Sequence, residues 1–267
     1  MAARRDSVQS VERALDLLEE LAGGEALGVS ELAARTGLVP STAHRLLATL
    51  ARRGYVTQRR DSNRYAIGLR VLELASGLED ELAHLRRVAR PELESVQRAT
   101  GETTNLVVLD GERAVYVDQV QGSRSVRMFT IVGAAALAHT TAAGKAILAF
   151  GPADEVDDLY GKRDGLEQLT PRTLTTVEAF KEDLERTKRR GYAIDNEEHE
   201  EGVSCIAAPV LGPDGLPLAA ISISAPTPRI INAETGDLGA LLREHADRIS
   251  SAFGAYARDG VGAKARR

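Results

Sequence analysis

Three short helical patterns followed by two short strand patterns, all within residues 8–67, are the feature that most restricts what this chain can fold into. Apolar residues at three- and four-residue spacing predict a helix over 8–22, and a pair of glycines ends it. Ser30 is placed to cap a second short helix, and Ser41 is placed to cap a third, which Gly54 ends. This order of helix, helix, turn and helix is typical of the helix-turn-helix.

A hairpin pattern follows the third helix. Residues 55–57 and 64–67 carry strand-forming side chains, and the polar stretch between them favours a tight turn. The combination predicts a winged helix-turn-helix over residues 7–68, and this module is typical of proteins that bind double-stranded DNA.

The third helix separates its apolar and polar residues onto opposite faces. At about 100° per residue, one face carries Ala43, Leu46, Leu47 and Leu50. The opposite face carries Ser41, Arg45, Ala48 and Arg52, with His44 on its flank. Short residues allow close approach to a major groove, and arginine can bind guanine edges or phosphates. An ordinary solvated helix face would have the same pattern, so this alternative stays open.

Charge is distributed unevenly along the chain. The segment from Arg35 to Arg70 holds eight arginines and one acid, a net charge of +7. Because the whole chain carries −5, the remainder carries −12. A basic segment attached to an acidic body indicates that one part binds phosphate while the other does something else.

The rest of the chain predicts an α+β domain around an antiparallel sheet with flanking helices. Residues 68–100 have a helical pattern, which Pro91 is expected to divide, leaving a linker helix over 69–90. Strands are predicted, in chain order, over 103–110, 113–120, 126–132, 192–195, 203–211 and 218–225. Helices are predicted over 140–150, 175–190 and 233–257. The domain boundaries that follow are 91–257 for this domain and 258–267 for a disordered tail.

Composition excludes several classes of protein. Hydrophobic residues make up 43% of the chain and charged residues 27%, which disfavours overall disorder. The one cysteine, Cys205, cannot form an internal disulfide. No signal peptide and no apolar stretch long enough to span a membrane are visible. We therefore expect a cytoplasmic protein without a membrane partner.

Two blocks of sequence resemble the IclR family of bacterial transcriptional regulators. The N-terminal block contains VSELAARTGLVPSTAHRLLATLARRGYV, and the C-terminal block contains HTTAAGKAILA and GYAIDNEEHEEGVSCIAAPV. The C-terminal block is the more specific, because winged helices occur in many families. The resemblance implies a GAF-like domain that binds a small, often carboxylated, metabolite. It also implies dimers or tetramers that bind palindromic operators.

The resemblance also implies the effector-binding residues. A helix N-terminus offers free amide groups to an anion, and the stretch after Thr140 provides one with small side chains. Lys145 does not make this stretch a phosphate-binding loop, since the required glycine and hydroxyl residue are absent. By family position, the effector-binding residues are Ala142, Ala143, Gly144, Asp195, Cys205, Ser222 and Ser224.

The function predicted is a DNA-binding regulator controlled by a small organic acid, with no metal, no cofactor and no catalytic residue. Candidates for base contacts are Ser41, Thr42, His44 and Arg45, and candidates for phosphate contacts are Arg52, Arg53, Arg59, Arg60 and Arg64. Two alternatives are a metabolite-binding enzyme with a basic interaction module and a helix-turn-helix used for protein contacts. His139, His199 and Cys205 lack metal-site spacing, and His199 is expected in a solvated acidic loop.

Overall fold

The helices and the hairpin predicted for the N-terminal segment form a unit of their own. The computed structural model describes residues 8–232 and 235–258, with all their side chains except those of 78–81 and 255–258. The elements are α1 (Gln9–Leu21), α2 (Val29–Arg35), α3 (Pro40–Arg52), β1 (Val56–Gln58) and β2 (Tyr65–Ile67). Their apolar faces share one core, which includes Leu17, Leu21, Leu32, Leu47, Val56 and Tyr65. The winged helix-turn-helix prediction is confirmed.

The two serine caps predicted for this unit are wrong. Gly28 precedes α2, and its amide donates to the carboxylate of Glu31 at 2.8 Å. The Glu31 side chain therefore caps the start of α2, and Ser30 lies inside the first turn of the helix. α3 begins at Pro40, which suits a first helical position because it has no amide hydrogen to satisfy.

The break expected at Pro91 is absent, and α4 runs unbroken over Arg70–Thr100. Proline removes one hydrogen bond in a helix interior. Packing offsets this loss, because Leu85, Ala89, Leu93 and Val96 bury one face of the helix in a core around the proline. The chain divides into two compact units, with the boundary between Glu81 and Leu82 inside α4.

The second unit contains a six-stranded antiparallel sheet in the order β5-β4-β3-β8-β7-β6. Its strands are β3 (Thr103–Asp110), β4 (Arg113–Val120), β5 (Ala135–Leu137), β6 (Ala193–Asn196), β7 (Val203–Leu211) and β8 (Pro217–Pro226). The strand predicted at 126–132 is wrong. That segment is irregular, with Val126 and Phe129 exposed, and pairing with β4 begins only at Ala135.

Helices cover both faces of this sheet, as an α+β fold requires. After a 3-10 turn (Ala138–Thr140), they are α5 (Ala142–Phe150), α6 (Glu155–Tyr160), α7 (Val177–Arg190), α8 (Thr227–Ile230) and α9 (Thr235–Arg258). Alternate strand residues point to opposite faces. Ile206 and Ile221 therefore join the core with α4 and α9, whereas Ala207 and Ala220 join the core with α5 and α7.

Among the described residues, no helix is long and apolar enough to cross a membrane. The tail expected at 258–267 lies outside the described residues apart from Arg258, which ends α9.

Candidate functional site

The exposed face of α3 carries the residues predicted to contact bases. Ala43 and Leu47 are fully buried in the core of the unit. Ser41, His44 and Arg45 are exposed on the other side, and Thr42 is half-buried. The helix therefore presents a hydroxyl, an imidazole and a guanidinium to solvent from one continuous surface, as the sequence predicts.

The arginines of the wing differ in their surroundings. Arg59 and Arg60 are exposed at the hairpin turn, and Arg52 is exposed at the end of α3. None of the three has an acidic partner among the described residues. Arg64 is bound within the protein, since its Nε donates to the carbonyl of Ala26 at 2.6 Å and its Nη2 donates to Glu31 at 2.8 Å.

Strand register brings the polar residues predicted for the effector site onto one face of the sheet. Side chains of directly paired residues lie on the same face. One row consists of Thr103, Ser224, Cys205 and Asp195, each paired with the next across β3, β8, β7 and β6. A second row, two residues along, contains Gln119, Asn105 and Ser222, followed by Ala207 and Ala193. The two rows together are called the polar floor.

Hydrogen bonds join the two rows of the polar floor. The Asn105 Nδ2 atom lies 3.2 Å from the hydroxyls of both Ser222 and Ser224, and it donates to them. Gln119 donates from Nε2 to Asn105 Oδ1 at 3.3 Å, and the Cys205 thiol donates to the Ser224 hydroxyl at 3.2 Å. Four strands, which come from two distant parts of the sequence, thus contribute to one connected polar surface.

The start of α5 supplies free amide groups on the same side of the sheet. α5 packs against β6, β7 and β8, and its residues share a core with Ala207. The Thr141 hydroxyl caps the helix by accepting from the amide of Gly144 at 3.1 Å. The amides of Ala142 and Ala143 have no partner among the described residues, although both residues are buried. Buried free amides at a helix start favour an anionic ligand.

Gly144 allows α5 to begin so close to the preceding turn. An added Cβ at this position would overlap the backbone of Ala138. A residue with a side chain would therefore push the free amides away from their observed place.

A buried charge cluster is centred on Lys145, which follows these amides in α5. Lys145 is fully buried, and its Nζ lies 2.6 Å from Glu198 Oε1 and 2.9 Å from Asp183 Oδ2. Burial raises the pKa of Glu198, and Lys145 opposes the rise. For Asp183, Lys145 and two arginines outweigh burial, so the pKa of that carboxyl is below its ordinary value.

Asp195 supplies the carboxyl of the polar floor, and its pKa is strongly perturbed. Burial raises its pKa from 3.8 to about 7, against the opposing charge of Lys145 and a hydrogen bond from the Glu198 amide. Burial also raises the pKa of the Cys205 thiol, with the Asp195 charge as the next cause. Cys205 is therefore not an activated nucleophile, which requires a lowered pKa.

Sequence reasoning missed several residues of this site. Asn105 and Lys145 have partners far away in the chain, whereas Gln119 joins the hydrogen-bond network through Asn105 on the neighbouring strand. The prediction of a solvated loop around His199 is wrong, because its Nδ1 lies 3.0 Å from the Thr140 hydroxyl and its neighbour Glu198 is buried. Within the described part of the chain, no group of three His, Cys, Asp or Glu residues could hold a metal ion.

Comparison with known proteins finds relatives over nearly the whole chain. A family described as "Bacterial transcriptional regulator IclR C-terminal" matches residues 81–251, and the "IclR helix-turn-helix domain" matches residues 10–60. The transcriptional repressor IclR of Escherichia coli strain K12 is 37% identical over 250 residues, which cover 92% of this chain and 90% of that protein.

Solved structures agree with these matches. The IclR of Thermotoga maritima is 32% identical with a TM-score of 0.70, covering 92% of this chain and 99% of its own. An IclR homologue from Microbacterium hydrocarbonoxydans, crystallised with 4-hydroxybenzoate, is 27% identical with a TM-score of 0.73 and the same coverage of 92% and 99%.

Proposed function

The chain belongs to the IclR family of bacterial transcriptional regulators, and from this premise we propose that it binds operator DNA through α3 and the wing and responds to a small carboxylated metabolite. Its relatives are named as regulators and repressors, and the chain is accordingly a regulator and not an enzyme. The observation that carries the DNA-binding proposal is the exposure of Arg45, His44 and Ser41 on one face of α3.

Base contacts are assigned to the exposed face of α3, together with Thr42. The hydroxyls suit several base edges, and arginine binds the O6 and N7 atoms of guanine. Arg52, Arg59 and Arg60 are exposed in the same unit and have no acidic partner in the part of the chain that the structure describes, and they are the proposed phosphate contacts. Arg64 already has two partners inside the unit, so we assign it to holding the wing in place.

Two copies of the chain would bind the two halves of a palindromic operator. Recognition helices of a dimer enter successive major grooves about 34 Å apart. Effector binding regulates only if it favours one relative placement of the two winged helices over another. α4, which begins in the first unit and continues in the second, is the proposed lever.

The effector is proposed to bind between the α5 start and the polar floor. The free amides of Ala142 and Ala143, with Gly144 beside them, suit a carboxylate. Asp195, Cys205, Ser222 and Ser224 offer hydrogen bonds to a hydroxyl or carbonyl at the other end of the ligand. The relative crystallised with 4-hydroxybenzoate holds a molecule of this kind, a carboxylate with a hydroxyl at its far end.

The test is a gel-shift assay with the promoter of the protein's own gene at two salt concentrations, beside an unrelated duplex of equal length. Selective retention that weakens steeply with salt supports the proposal, with a log–log slope of about −5 for six phosphate contacts. A thermal-shift screen of organic acids then identifies the effector, because a ligand that binds the folded state stabilises it. Equal retention of both duplexes contradicts the DNA-binding assignment.

A further inference from the structure

Lys145 is buried together with its charge, although an apolar side chain of similar volume could fill the same space. It is fully buried one residue after Gly144, between Asp183 on α7 and Glu198 in the segment between β6 and β7. Lysine is almost never fully buried unless it is paired. Apolar residues of similar volume often stabilise a fold as well as a buried ion pair does. A role in placing other groups therefore accounts for the cluster better than stability does.

The partners of Glu198 show what the cluster places. The backbone amide of Glu198 donates to Asp195 Oδ1 at 2.7 Å, while its side chain accepts from Lys145. Its carbonyl accepts from the Thr173 hydroxyl at 2.6 Å, which holds the segment from the other side. A short series of contacts thus leads from Asp195 through Glu198 to Lys145.

The other end of this series is the start of α5. Lys145 follows Ala142 by three residues in the same helix, so its backbone moves with the free amides of Ala142 and Ala143. One side chain therefore joins the two polar ends of the proposed effector site, the amides on one side and the Asp195 carboxyl on the other.

We propose that Lys145 is a positioning residue of the effector site, which acts through Glu198 to hold Asp195 at a set distance from the free amides of Ala142 and Ala143. This inference rests on the proposed effector site. A ligand with a carboxylate at one end and a hydroxyl or carbonyl at the other must reach both groups at once. The distance set by Lys145 therefore selects ligands by length.

The pKa of Asp195 provides a readout of this role, because it depends on the charge of Lys145 and not on packing alone. The groups facing Asp195 are Lys145 from α5, Glu198 and the His199 amide from the segment after β6, Cys205 from β7 and Tyr116 from β4. Of these side chains, Lys145 is the one that lowers the pKa of Asp195. Removing its charge should raise that pKa further.

The first experiment needs no ligand. Hydrogen exchange of the full chain, followed by mass spectrometry, is compared for the native protein, Lys145→Met, Glu198→Gln and the control Lys181→Met, which removes an exposed lysine paired with Asp157. We expect exchange about tenfold faster or more in peptides covering 138–146 and 192–200 of Lys145→Met, because removing one partner of a buried ion pair is strongly destabilising and makes local opening easier. Glu198→Gln should show a smaller increase at the same two places, and Lys181→Met should show none there.

Unchanged exchange at both places in Lys145→Met overturns the proposal. If Lys145→Met exchanges faster across the whole second unit, Glu198→Gln decides, because it keeps the backbone bond to Asp195. Faster exchange confined to the two segments in that variant supports the positioning role, and its absence overturns it.

The second experiment measures length selection and titration. Binding of glycolate, 3-hydroxybutyrate and 4-hydroxybenzoate is measured by calorimetry, and the Asp195 carboxyl is titrated by carbon NMR. Lys145→Met should weaken binding of the tightest-binding probe by about tenfold, which corresponds to the loss of about one hydrogen bond to the ligand. It should also reduce the difference in affinity among the three probes and raise the Asp195 midpoint. Unchanged preference with an unchanged midpoint overturns the proposal. If the native protein binds none of the probes, the effector class proposed above fails, whereas exchange and titration still decide the role of Lys145.

Discussion

Arg64 Nη2 lies 2.8 Å from Glu31 Oε2, so the residue directly before the second strand of the wing is joined to the second helix of the winged unit. The same carboxylate oxygen accepts the amide of Gly28 at 2.8 Å. The Glu31 side chain therefore caps the start of α2 and also binds the base of the wing. Arg60, at the tip of the hairpin, has no such partner among the described residues.

Because of this difference, substitutions of the two arginines should affect the salt dependence of operator binding differently. Arg60→Ala should reduce the magnitude of the log–log salt slope of operator binding by about 2, because each of the two bound copies loses one phosphate contact and each contact releases about one counterion. Arg64→Ala should weaken binding with an unchanged slope, because it loosens the wing without removing a phosphate contact. Fluorescence anisotropy over a salt series measures both. Equal slope changes in the two variants would show that Arg64 contacts a phosphate as well.

Arg45→Ala should remove selectivity for the operator. A bidentate contact from arginine to guanine contributes about 1–3 kcal/mol of discrimination, and Arg45 is exposed on the proposed recognition face. Arg52→Ala is the matched control, since it should weaken binding to operator and unrelated duplex alike. Footprinting shows which occurs, and an intact, selective footprint from Arg45→Ala would count against the recognition face.

Gly144→Ala should both destabilise the second unit and weaken effector binding. The added methyl group would overlap the backbone of Ala138, and such overpacking costs about 1–3 kcal/mol. The control is Gly236→Ala in α9, where a Cβ would meet no neighbour within 4 Å. That change should be neutral or stabilise by up to about 1 kcal/mol. Thermal unfolding with and without ligand measures both, and equal melting temperatures for the two variants would contradict the tight start of α5.

Stability should fall as the pH rises through the titration of Asp195. Its pKa is raised from 3.8 to about 7 by burial, so the folded protein holds this proton more tightly than the unfolded chain. The resulting stabilisation is complete below pH 4 and is lost by about pH 7, at most about 4 kcal/mol by the linkage relation. Asp195→Asn should flatten this part of the pH profile in chemical unfolding. An identical profile in the variant would show that Asp195 is ionised in the folded state.

The sequence predicted those elements whose stabilising contacts are local. The spacing of apolar residues located α1, α3 and α7, and the alternation around the Gly111 turn located β3 and β4. The same rules failed where distant packing decides. Pro91 interrupts the local bonding of α4, but the helix continues through that point because its face is buried against the sheet.

The candidate site divides in the same way. Family position predicts Asp195, Cys205, Ser222 and Ser224 as effector contacts, and strand register places these residues on one face. Local sequence gives Lys145 no role beyond an excluded phosphate-binding loop, because its partners Asp183 and Glu198 are distant in the chain. When the partners of a charged residue are brought to it only by folding, the local sequence around that residue does not reveal them.

The outermost strands of the sheet are its shortest, with three residues in β5 and four in β6. Exposed strand edges invite other chains to extend a sheet, and brief edges leave them little to pair with. The long strands β3, β7 and β8 are each bordered on both sides. The arrangement that places Cys205, Ser222 and Ser224 of the proposed effector site on inner strands thus also leaves little unpaired backbone through which copies of the chain could polymerise.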